Sequence, residues 1–156
     1  MLTHIDKTGN PTMVDVSGKQ VTHRTATAQS IVVLPDEVLQ LFTGGELQTK
    51  KGAVFQTAIV AGIMAAKKTG DLIPLCHPLG MDNCQVTIQL SDINEVIIEC
   101  TASISAKTGI EMEALVGASI AALTVYDMCK AMSHDIVIKE TKLIAKTGGK
   151  RDFKRS

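Results

Sequence analysis

The sequence has few aromatic residues: three Phe, one Tyr and no Trp among 156 residues. Proteins that bind single-stranded nucleic acid stack the bases on aromatic side chains, so this shortage argues against such a function. The chain also has no excess charge, because 16 Lys and Arg balance 16 Asp and Glu. A neutral chain has no general attraction for nucleic acid or for an anionic membrane surface. We therefore expect no nucleic-acid partner.

Disulfide and membrane signals are also lacking. The four cysteines are Cys76, Cys84, Cys100 and Cys129. They show no C-x-x-C spacing and no secretory segment precedes them, which predicts reduced, mostly buried thiols and a cytoplasmic protein. The longest apolar run, residues 53–66, is interrupted by Gln56 and Thr57. It is shorter than the roughly 20 residues that span a bilayer, so we expect no membrane association.

Motifs for bound cofactors and metals are missing as well. The chain has no P-loop and none of the patterns G-x-G-x-x-G, G-x-S-x-G and H-E-x-x-H. Cys76 and His77 are adjacent, but a zinc site needs about four ligands and no second Cys/His pair stands at a suitable spacing. We expect neither a cofactor nor a metal.

What the sequence does contain is enough apolar material, 45% of all residues, for one globular core. We predict a single domain over residues 1–156. Breakers such as Gly9-Asn10-Pro11 make residues 1–18 an irregular arm. The basic residues 147–156 are expected to form a flexible tail, although anion binding through the Gly148-Gly149 backbone is a second interpretation.

Hydrophobic periodicity predicts an α+β fold. β-Formers predict a strand over 20–34, and Pro35 begins a short helix that reaches Phe42. A second helix is expected over about 50–68, with Thr49 as its cap. The later elements are a hairpin (85–90 and 95–105), a long helix (107–130) and a last strand (136–144). This order is the split βαβ arrangement of the ferredoxin-like fold, an antiparallel sheet with helices on one face.

The long helix organises the rest of the chain. Thr108 and Glu111 form a capping-box pattern at its start. Its middle, residues 114–125, is uncharged and should be buried on more than one face. At about 1.5 Å per residue, Glu113 and Lys130 lie roughly 25 Å apart, too far for one small-molecule site. Either one end is structural, or each site takes one end from each of two chains.

Small residues in this helix, Gly117, Ala118, Ala121 and Ala122, favour the second possibility because they let another backbone approach closely. Lys50 and Lys51 are expected in the first turn of the preceding helix, where the helix dipole disfavours a cation. Such a broken local rule tends to mark a functional site, although lysines tolerated there for solubility are the alternative.

One loop also stands out. Pro74 and Pro78 restrict the backbone of residues 71–80, and therefore the direction of His77. A ligand-binding role for His77 competes with that of a hydrogen-bonded structural residue.

Six segments together resemble one family. They are MVDV (13–16), KG (51–52), AGIMAAKKT (61–69), DLIPLCHPL (71–79), TGIEMEAL (108–115) and LTVYDMCKA (123–131). In this order they are similar to the cyclic pyranopterin monophosphate synthases, which complete the first stage of molybdenum cofactor biosynthesis. The resemblance runs from about residue 2 to residue 149.

The resemblance implies a reaction in which 3′,8-cyclo-7,8-dihydro-GTP is rearranged to the cyclic pyranopterin, with release of pyrophosphate. It implies catalytic roles for Lys51, Asp127 and Lys130. The implied substrate-binding residues are Arg24, Leu75, Cys76, His77, Glu111, Met112 and Glu113. It also implies a homohexamer, a trimer of dimers with sites at the dimer interfaces. Residues 111–113 would then come from one chain and Asp127 and Lys130 from its neighbour.

Two other functions remain open on the residues alone. The first is a non-catalytic binding module, since ferredoxin-like domains often sense ligands as oligomers and a fold does not decide function. The second, ranked lower, is a protein that binds metal through cysteine and histidine.

Overall fold

The structure is a computed structural model, and it describes residues 3–156. In chain order, the elements are β1 (Thr22–Val33), α1 (Asp36–Leu39), β2 (Phe42–Thr43), β3 (Glu46–Thr49), β4 (Gly52–Ala53), α2 (Val54–Lys67), α3 (Thr69–Leu72), β5 (Asn83–Leu90), β6 (Glu95–Ala106), α4 (Glu111–Cys129), β7 (Val137–Thr147) and β8 (Phe153–Lys154). A five-stranded sheet, in the order β5-β6-β1-β7-β8, forms one layer, and all its neighbouring strands are antiparallel. The three short strands β2, β3 and β4 form a separate small sheet.

Strand β1 lies in the middle of the large sheet and shows why the helices cover one face. Its residues alternate in burial, with Ala26, Ala28 and Val32 pointing into the core. A period of two places every second side chain on the same face. Both α2 and α4 pack on that face, so the α+β, ferredoxin-like prediction is confirmed. The predicted hairpin is confirmed too, as β5 and β6.

Helices α2 and α4 approach each other closely at two glycines. A Cβ added at Gly62 would lie 2.9 Å from the backbone oxygen of Gly117, and one added at Gly117 would lie 3.2 Å from the oxygen of Gly62. Gly117 and Ala121 of α4 therefore face α2 of the same chain. The interpretation of these two small residues as a contact with a second chain is wrong, because the sequence does not say which backbone comes near.

The start of α2 also differs from the prediction. Thr49 belongs to β3, Lys50 and Lys51 form the turn between β3 and β4, and α2 begins only at Val54. The Glu46 carboxylate of β3 accepts hydrogen bonds from the backbone N–H groups of Phe55 (2.7 Å) and Gln56 (3.0 Å). Thr49 is thus not the cap, and the prediction that Lys50 and Lys51 lie in the first turn of this helix is wrong.

The predicted capping box of α4 is wrong as well. The helix begins at Glu111 after Ile110, and within residues 3–156 no side chain caps it. The Glu111 carboxylate instead forms an ion pair with Lys146 of β7, at 3.0 Å. A carboxylate beside a lysine on a neighbouring strand has a stronger partner than the exposed N–H groups of a helix end.

Two further features concern α4 and the end of the chain. By length and composition alone, α4 is apolar enough to cross a bilayer, with a mean hydropathy of 1.3, but more than half of that stretch is buried in the fold. The core helix of a globular protein has the same properties. At the end of the chain, Phe153 and Lys154 pair with Lys146 and Ala145 of β7, a short strand that the sequence analysis did not predict.

Candidate functional site

The site residues predicted from the sequence fall into two groups at opposite ends of α4. The first, which we call the C-terminal cluster, consists of Lys51, Asp127 and Lys130. The second, the N-terminal cluster, consists of Leu75, Cys76, His77, Glu111, Met112 and Glu113. Since α4 has 19 residues, its ends lie roughly 28 Å apart at about 1.5 Å per residue. Within one chain the two clusters do not share a small-molecule site.

In the C-terminal cluster, one carboxylate lies between two lysines. Asp127 Oδ2 is 3.4 Å from Lys51 Nζ, and its Oδ1 is 3.3 Å from Lys130 Nζ. Lys51 Nζ also donates a 3.0 Å hydrogen bond to the backbone oxygen of Asp127. The sequence placed Asp127 and Lys130 one helical turn apart, and the structure adds Lys51 from the β3–β4 turn.

The electrostatics of this cluster follow from its charges. The hydrogen bond from Lys130, and then that from Lys51, hold the pKa of the Asp127 carboxyl below its usual value. All three side chains are about half exposed, so they are open to a ligand. A cavity of about 420 Å³ adjoins them, lined by Lys51 with Lys50, Met128 and Met132. The cluster presents two ammonium groups that can bind phosphate oxygens or exchange protons.

The N-terminal cluster borders a larger cavity, of about 550 Å³. Its walls come from the loop after α3, from the start of α4 and from the N-terminal arm. From the predicted set, it is lined by Leu75, Cys76, His77, Glu111 and Met112. The mixture of apolar side chains with a few polar groups is what a small-molecule site requires.

His77 is held in place by the arm. Its Nε2 lies 2.7 Å from the backbone oxygen of Val14. A carbonyl oxygen only accepts, so Nε2 donates the hydrogen of this bond, and Nδ1 is the ring nitrogen left for another partner. His77 is therefore both hydrogen-bonded to the fold and part of the cavity wall, which combines the two interpretations that its sequence left open.

Glu113 is almost completely buried, with 2% of its surface exposed. Its Oε1 lies 4.0 Å from the Cys76 thiol, which donates to it, and within residues 3–156 its Oε2 has no hydrogen-bond partner. Burial is the main cause that raises the pKa of the Glu113 carboxyl, and the nearby Glu111 adds to it. Such an unpaired buried oxygen favours the protonated, neutral acid.

Arg24 lies at the start of β1, on the side of the N-terminal cluster. Its guanidinium donates to the backbone oxygens of Ala106 (3.3 Å) and Lys107 (3.4 Å), just before the cavity-lining Thr108 and Gly109. A Cβ added at Gly149 would lie 3.4 Å from Arg24 Nη1, so the segment after β7 approaches the same guanidinium.

Sequence reasoning missed two contributors to this end of the molecule. The arm supplies Val14 and Val16 to the cavity wall, although it was predicted only as irregular. Lys146 pairs with Glu111 from across the sheet. The MVDV segment was the one available signal for the arm, because contacts between parts of the chain this far apart leave no local pattern.

Metal binding has little support in the part of the chain that the structure describes. Across residues 3–156, no three His, Cys, Asp or Glu side chains stand close enough together to hold an ion. The neighbours of Cys76 and His77 are instead the hydrogen-bond partners described above.

Comparison with known proteins places these residues in a family. A model of the MoaC family matches residues 13–149. A cyclic pyranopterin monophosphate synthase of Xanthomonas campestris is 54% identical over 152 residues, 97% of this chain and 92% of the relative. The molybdenum cofactor biosynthesis bifunctional protein of Synechocystis is 51% identical over all of this chain and 46% of its own length. Molybdenum cofactor biosynthesis protein 1 of Dictyostelium discoideum is 51% identical over 95% of this chain and 26% of its own length. The match to the family covers both ends of α4 and the loops that pack beside them, and the chain belongs to the MoaC family.

Proposed function

We propose that this protein is a cyclic pyranopterin monophosphate synthase. It converts 3′,8-cyclo-7,8-dihydro-GTP to the cyclic pyranopterin and releases pyrophosphate, as a lyase of molybdenum cofactor biosynthesis in the cytoplasm. Membership of the family, and the names of relatives more than half identical to it, support this reaction. The observation that carries the proposal is the position of Asp127 between Lys51 and Lys130.

The proposed catalytic roles follow from that arrangement. The reaction opens and closes rings, which moves protons, and it expels pyrophosphate, which concentrates negative charge. Lys51 and Lys130 exchange the protons and stabilise the leaving phosphates. Asp127 fixes the direction of both ammonium groups through its two carboxylate oxygens. An Asp with a lowered pKa stays ionised throughout, so it orients the lysines and does not itself supply a proton.

The N-terminal cluster is proposed to bind the substrate. Leu75, Cys76, His77 and Met112 form a wall against which the flat pterin ring packs, and the His77 Nδ1 accepts a hydrogen bond from it. Glu111 meets the polar edge of the ring, and the buried Glu113 acts from behind the wall by accepting from the Cys76 thiol. Arg24 contributes a guanidinium to the phosphates, because its fork of N–H donors suits phosphate oxygens.

The two clusters are proposed to meet only in an oligomer. A distance of roughly 28 Å along α4 separates them in one chain, at about 1.5 Å per residue. In a two-fold dimer, the N-terminal cluster of one chain lies against the C-terminal cluster of the other, and the symmetry generates two identical sites. The homohexamer, a trimer of such dimers, is the assembly expected for the family.

The assay that tests the reaction uses purified protein and 3′,8-cyclo-7,8-dihydro-GTP, with pyrophosphate release and the fluorescent oxidised pterin as readouts. Wild type is expected to form both products and Lys51→Ala neither. Lys7→Ala, which removes an exposed lysine of the arm, is the matched control and should keep full activity. Binding of the nucleotide without product by the wild-type protein would support the non-catalytic binding module instead.

A further inference from the structure

A third cavity, of about 440 Å³, lies beside the outer strand β5. It is lined by Ile63 and Lys67 of α2, by the loop before β5 and by Cys84. The catalytic and binding roles proposed above use neither Cys84 nor Lys67. This cavity gives small solutes access to a thiol that is otherwise half-buried.

Behind Cys84 lies a second thiol. Cys84 pairs with Ala102, and Cys100 pairs with Val86, so the two cysteines occupy diagonal positions on neighbouring strands. Their sulfur atoms are 3.8 Å apart and share a hydrogen bond. Cys100 is completely buried beneath α4, where a Cβ added at Gly117 would lie 2.6 Å from its sulfur.

The two thiols differ in reactivity. The hydrogen bond to Cys100, and then the charge of Lys67, lower the pKa of Cys84 in spite of its partial burial. The same hydrogen bond, together with burial, raises the pKa of Cys100. Burial raises the pKa of Cys129 to about 11 and is also the main cause that raises the pKa of Cys76. Since the thiolate is the nucleophile, Cys84 is the thiol best suited to react with an oxidant.

We propose that Cys84 and Cys100 form a peroxide-reactive pair that closes to a reversible disulfide between β5 and β6. The Cys84 thiolate attacks one oxygen of hydrogen peroxide, an S–O bond forms, the O–O bond breaks, and water leaves after protonation. Cys84 is then a sulfenic acid. The sulfur of Cys100 attacks it, the S–S bond forms, the S–O bond breaks and a second water leaves. In total the two thiols lose two electrons and two protons, and the peroxide is reduced to two waters.

The position of the pair predicts that the bond is easily reduced again. Diagonal neighbours on antiparallel strands lie about 7–8 Å apart, whereas a disulfide spans Cα atoms up to about 7 Å apart. The strands must move slightly for the bond to close, so it is strained. Strained disulfides have higher reduction potentials and belong to the labile group.

The test is made on the complete wild-type protein, treated with hydrogen peroxide, quenched, alkylated in denaturant and digested for mass spectrometry. The expected result is a peptide linked through Cys84 and Cys100, with Cys76 and Cys129 still alkylated. Dithiothreitol should restore all four free thiols. Oxidation of Cys84 to sulfinic acid without a cross-link, or oxidation of Cys76 before Cys84, would overturn the proposal.

Variants test the roles of the neighbouring groups. Cys84→Ser should abolish the cross-link, and Cys76→Ser should leave it unchanged. Lys67→Met should slow the loss of the Cys84 thiol severalfold at neutral pH, because it removes the charge that favours the thiolate. Lys68→Met removes the adjacent exposed lysine and should react at the wild-type rate. Equal rates for Lys67→Met and wild type would contradict the part assigned to Lys67. All these readouts are independent of the proposed synthase activity.

Discussion

Lys51 Nζ donates a 3.0 Å hydrogen bond to the backbone oxygen of Asp127 and thereby joins the β3–β4 turn to the last turn of α4. The two residues are 76 positions apart in the chain. The carbonyl groups at a helix C-terminus carry partial negative charge and are not used within the helix. Lys51 therefore has a partner that holds it near the end of α4 in addition to the Asp127 carboxylate.

The first prediction concerns the titration of Asp127. In wild type, the carboxyl should titrate below its ordinary value of 3.8, because Lys130 and Lys51 stabilise the ionised form. Lys130→Met and Lys51→Met should each raise this pKa, and the double variant should bring it close to the ordinary value. The measurement is the pH dependence of the side-chain carbonyl ¹³C shift of Asp127.

The control for this titration is Lys139→Met, which removes a lysine that pairs with Glu95 elsewhere in the sheet. It should leave the Asp127 titration unchanged. Because the pKa of Asp127 is lowered in the folded state, the folding stability that its ion pairs contribute is present at neutral pH. That stability is lost as the pH falls through the pKa of the folded state. An Asp127 pKa that none of the lysine variants moves would mean that the ion pairs do not persist in solution.

The second prediction concerns the start of α2. Glu46→Ala removes the carboxylate that accepts from the N–H groups of Phe55 and Gln56. Loss of a helix cap costs about 1–2 kcal/mol of unfolding free energy, so the melting temperature should fall by roughly 2–8 °C. Glu46→Gln keeps one acceptor oxygen, so its melting temperature should fall less than that of Glu46→Ala. If Glu46→Ala melts at the wild-type temperature, the cap contributes nothing and α2 is held by packing alone.

The third prediction concerns the pH dependence contributed by Glu113. Its raised pKa means that the folded protein keeps a proton that the unfolded chain releases near 4.5. The folding stability that the protonated Glu113 contributes is therefore fully present below that pH and is lost as the pH rises through the pKa of the folded state. The loss amounts to about 1.4 kcal/mol for each unit by which folding raises the pKa. Glu113→Gln resembles the neutral acid and should not show this loss.

Melting temperatures should therefore be measured between about pH 4 and pH 8. As the pH rises, the melting temperature of Glu113→Gln should increase relative to that of wild type. Glu37→Gln, which removes the same charge from an exposed position, is the matched control and should follow the wild-type curve. Parallel curves for wild type and Glu113→Gln would show that Glu113 is ionised in the folded state.

The regular part of the fold was predictable from local patterns. Alternating burial in β1 and the two strands of the hairpin follows directly from their periodicity, and the order of the elements gave the ferredoxin-like arrangement. Two of the errors lie at helix starts. Thr49 and Thr108 have the residue types of caps, but Glu46 and Lys146 provide stronger partners from other elements, and such tertiary contacts have no local sequence signal.

The candidate site also has one part that local sequence patterns predict and another part that they do not. The i, i+3 spacing places Asp127 next to Lys130, and adjacency in the chain keeps Cys76 with His77. Periodicity alone did not bring Lys51 to Asp127 or the arm to His77, because both contacts depend on how distant segments pack. The resemblance to the family supplied Lys51, and the structure supplied the reason for its position.

The central claim, that each site combines clusters from two chains, is tested most directly by mixing inactive subunits. Lys51 and Lys130 contact the same Asp127 in one chain, so a mixture of Lys51→Ala and Lys130→Ala should stay inactive. When Lys51→Ala and His77→Ala are mixed in equal amounts, about half of the dimers contain one subunit of each variant, and one of the two sites in such a dimer is intact. This mixture should therefore recover up to about a quarter of the wild-type rate. Recovery by the second pair alone, with subunit exchange demonstrated by mass, is the predicted result. No recovery by the second pair, or equal recovery by both, would contradict a site shared between the two ends of α4.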